Sequence, residues 1–139
     1  MCCGEYLRID ARGVLPAIAD RSDSMNIKLA FENFTLTATV FDTRIGRSFY
    51  EILPCTINLS GWGNELYGSI GIDFGSDSPV AEIPAGGLAY SSPGNYLCIF
   101  YGQRPAWPVE HIGEIVDDWQ RLESVNSAGV SVSALDRAA

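Results

Sequence analysis

The residues best suited to chemistry lie in the run Trp62-Gly63-Asn64-Glu65, where an aromatic ring, an amide and a carboxylate are set between glycines. Such a loop fits contact with a ligand, because the ring offers a flat apolar surface, the amide directs hydrogen bonds and the carboxylate supplies an acceptor or a charge. A structural use fits equally, with Trp62 capping one end of the fold and Glu65 accepting N–H bonds from a neighbouring loop. Tyr90, Tyr96, Phe100 and Trp107 supply rings for an aromatic wall, although half of them are expected to be core. Strand alternation puts Leu97, Ile99 and Tyr101 on one face and Tyr96, Cys98 and Phe100 on the other; which face is interior is left open by the sequence.

Other chemistries find no constellation. A serine nucleophile needs a base, yet His111 is the single histidine, it sits in a strand-like run, and no GxSxG element is present. Gly61 to Gly71 has neither a Walker lysine nor a Rossmann spacing. Asp117 and Asp118 point apart at a helix start, where they favour the macrodipole rather than acid–base work. Cys55 and Cys98 have no CxxC-type partner and read as small buried hydrophobes in a reducing cytoplasm; the adjacent Cys2 and Cys3 read as an inert terminus. No catalytic residue, metal site or cofactor is expected.

Composition narrows the partners. The chain has 139 residues, 47% of them apolar, and a formal charge of −8. That is enough for one core, and no apolar stretch approaches the ~20 residues of a membrane-spanning helix. Between Met25 and Ser124 the basic residues are Lys28, Arg44, Arg47, Arg104 and Arg121, too scattered to track a phosphate backbone. Neither nucleic acid nor a membrane is an expected partner. The acidity reads as a solvated surface, since no DxDxDG calcium loop occurs.

The elements that must position these residues are mostly strands. Ile27, Leu29 and Phe31 alternate, as do Phe34, Leu36, Ala38 and Val40 after Glu32-Asn33, which predicts a hairpin. Asp42 or Thr43 caps a helix carrying Ile45, Phe49, Ile52 and Leu53, ended by Pro54 and expected to cover a barrel mouth. Further strands are predicted at Cys55 to Leu59, Glu65 to Phe74 (bent at Gly68 and Gly71), Leu88 to Ser91, Tyr96 to Tyr101 and His111 to Val116, with loops at Gly75 to Pro84 and Gln103 to Pro108. A short helix follows near Asp117. Residues 1–24 read as an extension, and the MNIKLAF run from Met25 as the start of the domain, which makes Met25 a candidate translation start. Residues 125–139, rich in Ser and Ala, read as a disordered tail.

The run PAGGLAYSSPGNYLCIFYG, Pro84 to Gly102, resembles the strand–loop–strand of cyclophilin-type barrels. It is more similar still to a small bacterial and archaeal group with a cyclophilin-like fold and no established activity, which shares a GxLAYxxPGNxLCIFxG pattern. Trp62-Gly63-Asn64-Glu65 with Tyr67 resembles the WGxExY element of that group, and His111 to Ile115 with Asp117 to Leu122 resembles the strand and helix that close a cyclophilin barrel. The resemblance implies a closed, mostly β barrel over 25–124 with one or two short helices. It also implies that the Tyr90 and Phe100 region is the face on which cyclophilins bind a peptide proline. Prolyl isomerisation lowers an amide barrier of ~20 kcal/mol, and cyclophilins donate a hydrogen bond from the arginine of an FHRxxxxF element. The matching stretch here is GSIGIDFGSD, without a basic residue.

The expected function is therefore binding of a small molecule or peptide by Trp62, Asn64, Glu65, Tyr90, Phe100 and Trp107, without cyclophilin-type catalysis. Two alternatives accompany it. One is a divergent prolyl isomerase with another donor such as Arg104, and the other is a module that self-associates through an edge strand or exposed aromatics.

Overall fold

A computed structural model of the chain describes residues 25–135; the expected extension, the Met25 start and Cys2-Cys3 concern or adjoin residues 1–24, outside that range. Eight strands form one closed antiparallel barrel in the order β1-β2-β7-β5-β6-β4-β3-β8. They are β1 (Met25–Ala30), β2 (Thr35–Val40), β3 (Cys55–Gly61), β4 (Glu65–Ser69), β5 (Gly87–Ser91), β6 (Tyr96–Phe100), β7 (Glu110–Ile115) and β8 (Ser127–Ala134). One α-helix, α1 (Arg44–Glu51), follows β2, and a 3-10 helix spans Trp119–Ser124. The mostly β barrel with short helices agrees with the fold read from the sequence.

Period-two alternation fills the interior. Ile27 and Leu29, Leu36 and Ala38, Ile57 and Leu59, Leu97 and Ile99, and Val130 and Val132 all point inward and are buried in one cluster. Thr43 caps α1 by accepting from the Gly46 N–H at 3.0 Å, and the helix turns Ile45 and Phe49 into that same cluster beside β2 and β7.

Three expectations are corrected. Within the segment expected to be a disordered tail, Ser127–Ala134 form β8, which pairs with both β1 and β3 and closes the barrel. Its small residues concealed a strand pattern: Val130 and Val132 face the core while Ser131 and Ser133 face away. The strand predicted over Glu65 to Phe74 stops at Ser69, because Gly71 and Gly75 adopt positive φ and the chain there becomes an irregular loop. Closure also leaves no edge among the described strands, so self-association by strand addition has no template in the barrel.

The β5–β6 connection shows why the turn residues were legible. Pro93 and Gly94 occupy the centre of a turn closed by the Asn95 N–H to the Ser92 carbonyl at 3.2 Å, with Gly94 at φ 92° as a type II turn requires.

Candidate functional site

Strands β4, β6 and β5 lie side by side, and their registers dictate what shares their outer face. Glu65 pairs with Phe100 and Tyr67 with Cys98 across β4–β6; Ala89 pairs with Cys98 and Ser91 with Tyr96 across β5–β6. Cys98 and Phe100 pack with Ile83, Ala89 and Val109 into a second apolar cluster outside the barrel, flanked by Tyr67 and Tyr96. This settles the face left open by the sequence: Leu97, Ile99 and Tyr101 are interior.

The loop between β6 and β7 folds over that face. Val80 and Val109 exchange backbone hydrogen bonds of 2.8 and 3.0 Å, Arg104 pairs with Glu82, and the Trp107 indole donates to Ser91 Oγ at 2.9 Å. Between loop and sheet lies a groove of about 330 Å³, lined by Trp62, Glu65, Tyr67, Tyr96, Phe100 and Trp107 with Ser91, Cys98, Pro105, Ala106 and Val109. The volume is in the range of small-molecule sites. Trp62 and Trp107 form its half-open rim at 55% and 47% exposure.

Glu65 is the unusual member, a carboxylate only 7% exposed on an apolar face. Among the described residues its one side-chain donor of regular hydrogen-bonding type is the Gln103 amide, Nε2 lying 3.4 Å from Oε1, at the long end for a hydrogen bond. The other end of that amide is occupied, since Gln103 Oε1 accepts from the Asn64 N–H at 2.6 Å. Burial raises the carboxyl pKa of Glu65, with contacts to Cys98 and Gln103 partly offsetting it. Burial and the neighbouring Glu65 push the Cys98 thiol well above its ordinary range, so it stays protonated at neutral pH.

A second buried carboxylate provides the contrast. Glu110, also 7% exposed, accepts from the Ser76 hydroxyl at 3.0 Å and from the N–H groups of Asp77 at 2.7 Å and Ser78 at 3.0 Å. Ordering a loop by accepting backbone N–H bonds, one of the two uses anticipated for Glu65, is thus what Glu110 does. No backbone N–H reaches the carboxylate of Glu65 among the described hydrogen bonds.

Four of the six residues expected to bind, Trp62, Glu65, Phe100 and Trp107, line this one groove. Asn64 does not: its backbone ties the loops, donating to Gln103 and accepting from the Tyr101 N–H at 3.0 Å, with its side chain against Gly102. Tyr90 does not either. Alternation turns it into the barrel, where its hydroxyl accepts from the Phe74 N–H at 2.9 Å and lies 2.8 Å from Asn95 Oδ1 and 2.9 Å from the Ile72 carbonyl. The resemblance placed Tyr90 and Phe100 on one face; the register separates them, since Tyr90 pairs with the inward Leu97 while Phe100 pairs with Gly87 and faces out. Tyr96, expected in the aromatic wall, lines the groove, and so do Tyr67, Ser91 and Cys98, for which the spacing of Glu65 with Tyr67 and of Tyr96 with Cys98 and Phe100 carries the signal.

The basic residues lie elsewhere. Arg44 pairs with Asp77, Arg47 with Asp42, Arg104 with Glu82 and Arg121 with Asp118. Arg104, the alternative isomerase donor, is therefore engaged at Glu82, and it is not among the residues lining the groove. His111 stacks edge-on against Phe41 at 4.9 Å, and burial lowers its pKa. No cluster of three His, Cys, Asp or Glu side chains able to hold a metal occurs among the described residues, and no described helix is long and apolar enough to cross a membrane.

A family model described as Cyclophilin-like matches residues 25–133. The hypothetical protein AF2241 from Archaeoglobus fulgidus, known from a solution structure, superimposes with a TM-score of 0.70 at 22% identity, over 85% of this chain and 100% of that one. The structure of McbB in complex with tryptophan superimposes with a TM-score of 0.62 at 19% identity, over 81% of this chain and 46% of that one. No curated protein matches by sequence.

Proposed function

Taking as premise that the chain belongs to the cyclophilin-like family, we propose that it is a binding protein whose barrel-face groove takes a small molecule or short peptide. One observation carries the reading: Glu65, 7% exposed, is held in an aromatic groove where, among the described residues, its side-chain contacts are one long amide bond from Gln103 and the weakly donating Cys98 thiol. Burying a carboxylate with so few donors is costly, and proteins retain such arrangements mainly at functional sites. The half-exposed rings of Trp62 and Trp107 beside it support the same conclusion, because large apolar rims mark contact surfaces. The tryptophan complex of McbB makes a small organic molecule the first occupant to test. The free thiols of Cys55 and Cys98 support a reducing, cytoplasmic setting.

A thermal-shift screen of small molecules and short peptides tests the reading. A ligand at a hundred times its Kd stabilises the folded state by about 2.7 kcal/mol. Compounds that raise the melting temperature of the wild type are expected to lose that effect in Trp62→Ala and Trp107→Ala. Equal shifts in both variants would place binding elsewhere and refute the proposal.

A further inference from the structure

We propose that the occupant of the groove is an organic cation, an ammonium group carried on a flat apolar body, with Glu65 as its counter-charge and Trp62, Tyr67, Tyr96 and Trp107 as its walls. This inference rests on the binding role proposed above and specifies the chemical class of the ligand.

Three observations converge on that class. The first is the unmet demand of Glu65. A carboxylate only accepts hydrogen bonds, and here it receives one long contact from an amide whose other end is already fixed at Asn64. Cys98 beside it is a weak donor and cannot neutralise it. The four described arginines pair with other carboxylates, and Lys28 stands on β1, which neighbours only β2 and β8. Among the described residues no cation of the chain reaches Glu65, so an incoming N–H⁺ group would meet an acceptor that is already desolvated.

The second observation is the wall chemistry. Tyr67 and Tyr96 meet edge-on at 5.4 Å beside the carboxylate strand, and the two tryptophans rim the opening. Aromatic faces carry negative potential and attract cations within about 6 Å, most strongly where water is excluded. The same faces and the same carboxylate repel an anion, and a neutral ligand gains only the apolar contact. The third is the field of the molecule: a formal charge of −8 draws cations towards it and disfavours anionic ligands.

The contrast with Glu110 sets Glu65 apart, because the buried acid that plays an architectural role in this fold has collected its donors. That carboxylate is satisfied by three donors from residues 76–78 and orders their loop. Glu65 lies in an equally buried position and has no such set.

Three soluble probes that share one phenyl-ethyl framework and differ in charge test the class: phenethylamine, 2-phenylethanol and 3-phenylpropionate. Each is titrated into the full chain by calorimetry at neutral pH and low salt, and into Glu65→Gln. The amine is expected to bind at least about tenfold more tightly than the alcohol, with the propionate weakest, and Glu65→Gln is expected to bring amine and alcohol to within about twofold. Equal binding of amine and alcohol by the wild type, a comparison that needs no variant, overturns the cationic class while leaving a groove that binds apolar molecules. Unchanged amine affinity in a folded Glu65→Gln protein also overturns it. If none of the three binds saturably, the cationic class fails, while the thermal-shift screen decides the binding role separately.

Discussion

Glu65 and Tyr90 divide the residue-scale work. Burial holds the Glu65 carboxyl above the ordinary carboxylate range, whereas in the unfolded chain it titrates normally. Between those two values the folded protein binds more protons than the unfolded one, so stability falls as pH rises through the interval. The groups facing Glu65 are the Cys98 thiol, which stays protonated, and the neutral Gln103 amide, so neither reverses the sign. Glu65→Gln is therefore expected to be at least as stable as the wild type at neutral pH and to lose that part of the pH dependence, as read by denaturant unfolding at several pH values. A Glu65→Gln protein less stable at neutral pH would mean that the carboxylate is satisfied in the fold. Tyr90 behaves oppositely. Tyr90→Phe leaves the Phe74 N–H without its acceptor and is expected to cost roughly 1–3 kcal/mol while leaving groove binding unchanged. Loss of ligand binding in that variant would return Tyr90 to the site.

At the scale of elements, β8 carries the clearest expectation. Val130 and Val132 are fully buried between β1 and β3, so Val132→Ala is expected to destabilise by roughly 1–3 kcal/mol. Truncation after Asn126 opens the barrel, exposes the β1 and β3 edges, and is expected to give an aggregating, unfolded chain by circular dichroism and light scattering. A truncated chain that stays folded and monomeric would show that closure is dispensable. The same strand is the element least legible in the sequence. The hairpin of β1 and β2, the Thr43 cap and the Pro93-Gly94-Asn95 turn were legible because each carries a local signal: alternation, a cap hydroxyl, or residues suited to positive φ. In β8 the signal was two valines among serines and alanines, too weak beside the composition, and only pairing with β1 and β3 makes it a strand. The groove was half legible. The shared face of Tyr96, Cys98 and Phe100 could be read but not its outward direction, and the placement of Tyr67 beside them depends on β4 pairing with β6, a contact of 31 residues' separation for Tyr67 and Cys98 that no local pattern encodes.

At the scale of the whole molecule, the closed barrel holds two chemically distinct faces. Its interior is continuous and apolar and includes α1, whereas the outer face of β4, β6 and β5 is a separate cluster under a loop tied down by Trp107 and Arg104. Stability and binding are thus expected to be separable, with interior substitutions acting on the first and groove substitutions on the second. A ligand is expected to bind in the groove around Glu65. Amide- and indole-resolved NMR during titration of phenethylamine into the full chain tests it most directly. Saturable shifts are expected at the backbone amides of residues 65–67 and 96–100 and at the Trp107 indole N–H, with the β8 amides unmoved. Shifts concentrated on other strands, or none at saturating probe, would contradict it.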